Sequence, residues 1–358
     1  MNTAVITAVA AWVPEAMPLS RWSTIDSALR ATGHRGWNAW MRSWEAGYAH
    51  WLRCWPAAQT AGSPAVHSDL PPRALDIMVP VETGTDLSGL AATMANTICA
   101  ARAPGARPVD VVMFCHGSLD AHVSTTTAGR LCAELGTPCF VFSVSQQHGA
   151  SVFTALRLAL DLLFAEPDVH TVLIIAAEKS YPPFSRLAGA GIVLGDAAGA
   201  LLVERASHAS AGLRLLDAET RRVITCPGRA ATGAQDSWAV TLVATIESLL
   251  ARHRPGQNGH DGIGEIIGHR GMPSLTEAVC TLAGRPHAGL QHEHCIHLGA
   301  AESIVRLAQR LGSALHGRGH RLLLWGFGTC GFVGAALLET HDAPFVSLRD
   351  MSVLPHEP

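Results

Sequence analysis

The stretch Phe142-Ser143-Val144-Ser145-Gln146-Gln147-His148-Gly149-Ala150-Ser151 decides the reading of this chain. The run Cys139 to Val144 before it is short and apolar, as a buried strand is. After it, Val152, Ala155, Leu156, Leu160 and Leu163 recur at helical spacing, which predicts a helix from about Gly149 to Phe164. A strand that breaks into a turn and then into a buried helix presents the helix's first, unpaired N–H groups. The helix dipole adds to them, and the place suits a developing anion. Enzymes of the α/β class put nucleophiles there.

Composition sets the frame around this turn. With 358 residues, 48% of them hydrophobic, the chain can bury a large core, as one double-sized body or two similar halves. A net charge of −3 and the absence of any basic block argue against nucleic acid as a partner. The nine cysteines are odd in number and irregular in spacing, which points to a reducing cytoplasm and not to a disulfide framework. Ala4 to Val13 is apolar but lacks a basic leader region and is too short to span a bilayer, so it reads as a first core strand and no membrane partner is expected. No metal site is expected either. The cluster His292-Glu293-His294-Cys295-Ile296-His297 matches no zinc spacing, and a strand would splay its alternate residues.

Beyond the first strand, a Trp-rich segment of about 14–80 carries Trp22, Trp37, Trp40, Trp44, Trp51 and Trp55 and suits a helical cap packed by indoles. A helix is predicted from Thr85 to about Ala103 with Asp86 in its first turn, a strand over Val109 to Phe114, and a helix over His122 to Leu135. Thr171 to Ala177 is another strand. From about Ala206 the pattern restarts, with strands near Leu213, Gly264 and Arg321 and helices over Trp238 to Leu250, Ser274 to Leu282 and Ser303 to Leu315. Gly195-Asp-Ala-Ala-Gly-Ala-Leu-Leu-Val-Glu204 is echoed by Gly331-Phe-Val-Gly-Ala-Ala-Leu-Leu-Glu339, so the two halves end on similar words.

Four ordered words between Thr85 and Glu339 resemble the β-ketoacyl synthase III family of the thiolase superfamily. They are the strand–turn–helix stretch, the Gly191 to Glu204 word (similar to the F-G-D-G-A-G-A-x-x-L-E hairpin), Ile266-Ile267-Gly268-His269 (similar to the strand end before H-Q-A-N), and Gly326-Phe327-Gly328-Thr329-Cys330-Gly331 (similar to A-F-G-G-G). The resemblance implies an α/β, thiolase-like fold of duplicated five-layered α/β/α/β/α halves, residues 1–205 and 206–358. It further implies an acyltransferase or condensing activity on acyl groups carried by coenzyme A or by the phosphopantetheine of an acyl carrier protein. No other cofactor is implied. A homodimer, or a heterodimer with a paralogue, built on the edge strand near the central turn, is also implied.

Carried onto this chain, the family's catalytic cysteine falls on Gly149 in the helix register and on His148 in the strand register. The first catalytic histidine falls on His269. The family's asparagine falls on His297 if the Ala300-Ala301 pair is aligned, or on Leu298 if Ser303-Ile304 is; only the imidazole can donate a hydrogen bond to a thioester oxygen. Gly328, Thr329 and Cys330 take the place of the loop that completes the oxyanion hole, and Asp196 reads as an acceptor of backbone N–H groups. Cys115, Cys330, Ser145 and Ser151 are the remaining candidate nucleophiles, since glycine has nothing to acylate. Three readings of Gly149 stay open: direct acyl transfer with His269 or His297 as general base, a catalytically silent partner of an active ketosynthase, or a Cys→Gly substitution in an ordinary enzyme.

Overall fold

A computed structural model describes residues 4–21, 77–118, 126–136, 139–180, 186, 192–209, 211–224, 231–253, 263–284, 295–313 and 318–349. The Trp-rich cap between residues 22 and 76 and the cluster residues His292 to His294 lie outside these. In chain order the first half supplies β1 (Ala4–Trp12), β2 (Ala16–Pro18), β3 (Met78–Pro80), helix α1 (Leu87–Ala101), β4 (Val111–Cys115), α2 (Thr127–Leu135), β5 (Phe140–Val144), α3 (Ser151–Ala165), β6 (Thr171–Glu178), β7 (Ile192–Leu194) and β8 (Ala197–Arg205). The second supplies β9 (Leu213–Arg222), α4 (Ala231–Arg252), β10 (Ile263–Gly268), α5 (Pro273–Leu282), β11 (Cys295–His297), α6 (Glu302–Ser313), β12 (Arg321–Gly328), β13 (Phe332–Thr340) and β14 (Phe345–Arg349).

The main sheet runs β10-β12-β13-β9-β1-β8-β6-β4-β5, with β14 also lying along β1. This order contains one pattern twice. In the first half a parallel pair, β4 and β6, continues antiparallel through β8 to β1; in the second the parallel pair β10 and β12 continues antiparallel through β13 to β9. The two are stitched where Ala4 to Ile6 of β1 pair with Leu213 to Leu215 of β9. The echoing words found in the sequence are β8 and β13, which hold the same place in the two patterns.

Both faces of the sheet are apolar, so each must be covered. Along β6, Val172, Ile174 and Ala176 face one core, and Leu173, Ile175 and Ala177 face another. The first core is the middle of the molecule, where Val152, Phe153 and Leu156 of α3 and Ile304, Val305 and Leu307 of α6 meet both half-sheets. On the outside, Leu87, Leu90, Met94 and Ile98 of α1 cover Val112, Phe114 and Leu173. On the opposite outside, Leu242, Ile246 and Leu249 of α4, with Leu275 and Val279 of α5, cover Leu323, Trp325 and Val333. The layers are therefore helix, sheet, helix, sheet, helix.

Several local expectations are corrected. Asp86 is the cap of α1, not a member of its first turn, and its Oδ1 accepts from the Gly89 N–H at 2.6 Å. Residues 192 to 204 do not form a hairpin: β7 leaves to pair in parallel with β11, while β8 enters the main sheet. Asp196 between them is fully buried and accepts from the backbone of Glu82 and Ser180. It also receives both arms of Arg186, at 2.9 and 3.0 Å. The stretch His148–Ala165 is long and apolar enough by length and composition to cross a membrane. Its apolarity is explained by its place in the middle layer, between two sheets.

Candidate active site

Two strand–turn–helix units meet in the middle layer. In the first, β5 ends at Val144, a single 3-10 turn covers His148–Ala150, and α3 follows. The backbone here is strained: Gln146 and His148 are the only described non-glycine residues with positive φ, at 66° and 45°. The His148 ring lies against Gly117, where a Cβ would stand 2.5 Å from Nδ1. Its carbonyl accepts from Ser151 Oγ at 2.7 Å. In the second unit, β11 ends at His297, a 3-10 turn covers Gly299–Ala301, and α6 follows. The two turns pack against each other.

The strands of the second half bring His269, at the end of β10, and His297, at the end of β11, to this meeting point. His297 Nε2 is 3.1 Å from His269 Nδ1, and His269 Nε2 is 2.7 Å from Ser303 Oγ. The Phe327 N–H donates to His269 Nδ1 at 3.2 Å, and the Gly299 N–H donates to His297 Nδ1 at 3.0 Å. A nitrogen that accepts from a backbone N–H carries no proton, so both rings are assigned as the Nε2–H tautomer. His297 then donates to His269, and His269 donates to Ser303. Both acceptor nitrogens are taken by the backbone. His269 and His297 are almost fully buried, and burial is the main force holding both pKa values down. For His269 the value falls to about 3, with the His297 imidazole adding to the effect and Glu302 opposing it. Neither ring in this arrangement offers a lone pair to a substrate.

Gly149 is buried between these groups. A Cβ built on it would stand 2.6 Å from His269 Cε1 and closer still to the Phe327 carbonyl oxygen. The place a nucleophilic side chain would need is filled. Gly328 lets its loop approach the first turn, since a Cβ there would overlap the Gln147 carbonyl, and Cys330 Sγ donates to the Gln146 carbonyl at 3.0 Å. Thr329, between them, is half-buried. Burial pushes the thiols of Cys115 and Cys330 up to about 12, so neither is a ready thiolate at neutral pH. Ser151 is buried with its hydroxyl bound to the His148 carbonyl, and Ser145 is half-buried at the turn.

His148 differs from the other two imidazoles. It is half-buried, and among the described residues its ring nitrogens hold no hydrogen bond. Its pKa is lowered by burial, with the Glu178 carboxylate opposing and His116 adding.

Sequence reasoning missed two buried carboxylates that hold the site together. Glu178, at the end of β6, accepts from Gly117 N–H at 3.1 Å, Ala300 N–H at 3.0 Å, and the backbone and hydroxyl of Ser118. It thereby ties the first half to the second turn. Glu302 accepts from the Leu298 N–H at 2.6 Å and from Arg306 Nε at 2.9 Å. Burial pushes its carboxyl up, but the Arg306 guanidinium, the His297 and His269 imidazoles and the Leu298 N–H together outweigh this and bring it to about 2. A glutamate at a strand end and one opening a helix, four residues before an arginine, were the available signals.

No protein-family profile and no curated protein sequence matches this chain. Solved structures do. The acyltransferase ChlB3 superposes with a TM-score of 0.64 at 17% identity, covering 96% of this chain and 99% of that one. The 3-oxoacyl-(acyl carrier protein) synthase III, FabH, of Pseudomonas aeruginosa PAO1 gives 0.59 at 17% identity over 95% and 99%. OleA of Xanthomonas campestris with bound acetamide gives 0.59 at 14% identity over 94% and 98%. With the repeated strand order and the five layers, these likenesses establish that the chain has the thiolase-like fold.

Proposed function

We propose that this protein works on acyl thioesters, carried by coenzyme A or an acyl carrier protein, as the subunit of a ketosynthase III-like pair that forms no acyl-enzyme itself. The observation that carries this reading is the filled position at Gly149, where the His269 ring and the Phe327 carbonyl stand in the space of a nucleophile's side chain. The names of the structural neighbours, an acyltransferase and a 3-oxoacyl-(acyl carrier protein) synthase, support the substrate class. Association is supported by β5, which ends the sheet with Phe140 67% exposed and its ring 5.4 Å from that of Phe142. The thiols of Cys115 and Cys330 are buried and form no disulfide, in keeping with a cytoplasmic setting.

The test is co-expression with a cysteine-bearing ketosynthase paralogue from the same source. The expected result is co-purification as a heterodimer, loss of the paralogue's activity when this chain is left out, and weakened pairing in Phe140→Glu. A paralogue equally soluble and active alone would end the proposal.

One observation favours a second reading, direct transfer: His148 occupies the strained turn with its ring nitrogens unengaged among the described residues. His148 would take the proton of an incoming hydroxyl or amine as that group attacks the thioester carbonyl, and the carrier would leave as its thiolate. Acyl transfer by the isolated chain that is lost in His148→Ala would favour this reading over the first.

A further inference from the structure

Two glycines from opposite halves bracket the His269 ring: Gly149, in the turn before α3, and Gly326, within β12. Neither has a positive φ, so the backbone itself does not call for glycine at either place. Space does. At Gly149 a Cβ would meet His269 Cε1 at 2.6 Å and Nδ1 at 3.1 Å, besides the Phe327 carbonyl. At Gly326 the three nearest atoms to a Cβ all belong to the same imidazole, with Cε1 at 2.5 Å. The ring is pinned there by the Phe327 N–H, Ser303 Oγ and His297.

We propose that His269 is a plug: its imidazole fills the volume a side chain at position 149 would take, and Gly149 and Gly326 are the seat that admits it. The site is then closed by residues of both halves and not by the loss of one side chain. This deepens the non-acylating reading and rests on it for its functional meaning, but its geometry stands on the isolated chain. A single Cys→Gly lesion would leave Gly326 unexplained. The plug explains both glycines.

The test is a pair of double-mutant cycles read as thermal unfolding midpoints of the isolated full-length chain. Gly326→Ala is expected to lower the midpoint by roughly 2–5 °C, as overpacking of a dense interior does. In a His269→Ala background the same change is expected to cost almost nothing, because the three atoms nearest the new Cβ are gone. Gly149→Ala is expected to be relieved only in part, because the Phe327 carbonyl remains. An equal penalty for Gly326→Ala in both backgrounds overturns the plug. A second readout is Gly149→Cys with acetyl-coenzyme A, followed by intact mass. Acylation would form a sulfur–carbonyl bond at residue 149 as the coenzyme A thiolate leaves. The expected result is no acetyl gain, and a folded variant that gains one acetyl group overturns the proposal. If the partner reading alone is wrong, the Gly326 coupling persists while the paralogue ignores this chain. If the plug alone is wrong, the coupling vanishes while the paralogue still needs it.

Discussion

The same unit, strand then one 3-10 turn then middle-layer helix, is used twice here, and the two copies solve the turn differently. In the first, the left-handed backbone angles fall on Gln146 and His148, at a cost of roughly 1–2 kcal/mol each for residues with a Cβ. In the second, the positive angle falls on Gly299 (φ 56°), which bears it freely. The donors differ in the same sense. Leu298, Gly299 and Ala300 give their N–H groups to Glu302, His297 and Glu178, all buried. The first turn spends strain on presenting a half-buried imidazole; the second is relaxed and closed. Where a protein keeps strain it could remove with glycine, the side chain presented there is the one to test.

The largest way to break this contrast is to open the second turn. Glu302 is fully buried against Arg306, and Glu302→Ala leaves that guanidinium without its partner and the Leu298 N–H without its acceptor. A loss of about 3–5 kcal/mol is expected in urea unfolding at pH 7. A loss below about 1 kcal/mol would show that the turn does not depend on this pair.

Acid probes the same closure more gently. His269 is neutral in the fold, with a pKa near 3 against about 6.5 in the unfolded chain. As pH falls the unfolded chain takes up its proton first. The stability from this group is therefore complete above about pH 6.5 and is lost progressively through the window down to about pH 3. By pH 5 the loss is on the order of 2 kcal/mol. His269→Ala should have a shallower dependence between pH 7 and 5 than the wild type, and identical slopes would contradict a ring held neutral by burial.

The smallest effect tests the first turn. His148→Gly should relieve the strained φ and raise stability by roughly 0.5–1 kcal/mol, measured as a higher urea midpoint. The matching change at the relaxed turn, Gly299→Ala, should lower it, because residue 299 holds a positive φ and its Cβ would press on Glu178. Destabilisation by both would mean that the His148 ring contributes more packing than its backbone costs.

Periodicity and resemblance between them carried much of the fold. The alternating and unbroken apolar runs of β1, β4, β6 and β12 read directly as buried strands, because a strand covered on both faces has no polar positions. Period-3.6 faces gave α1, α3 and α6 to within a few residues. The echo between β8 and β13 signalled duplication, since the same place in the two patterns asks for the same small and branched residues. What failed was local: β7 departs for β11, a pairing decided by a partner about 100 residues away that no window along the chain contains.

Gly149, His148, His269, His297 and the Gly328-Thr329-Cys330 loop stand in ordered words that can be read without coordinates. Their effect on one another appears only when the two halves are folded together. Two histidines that read as bases have their acceptor nitrogens occupied by the Phe327 and Gly299 backbone, and the strained elbow belongs to His148 and not to Gly149. Glu178, silent as a letter, became a staple, and Gly326, read only as the start of a loop word, became half of a seat. The physical reason is that protonation state, strain and free volume depend on distances of a few ångströms between residues far apart in the chain. Those distances exist only once the two halves have closed on each other.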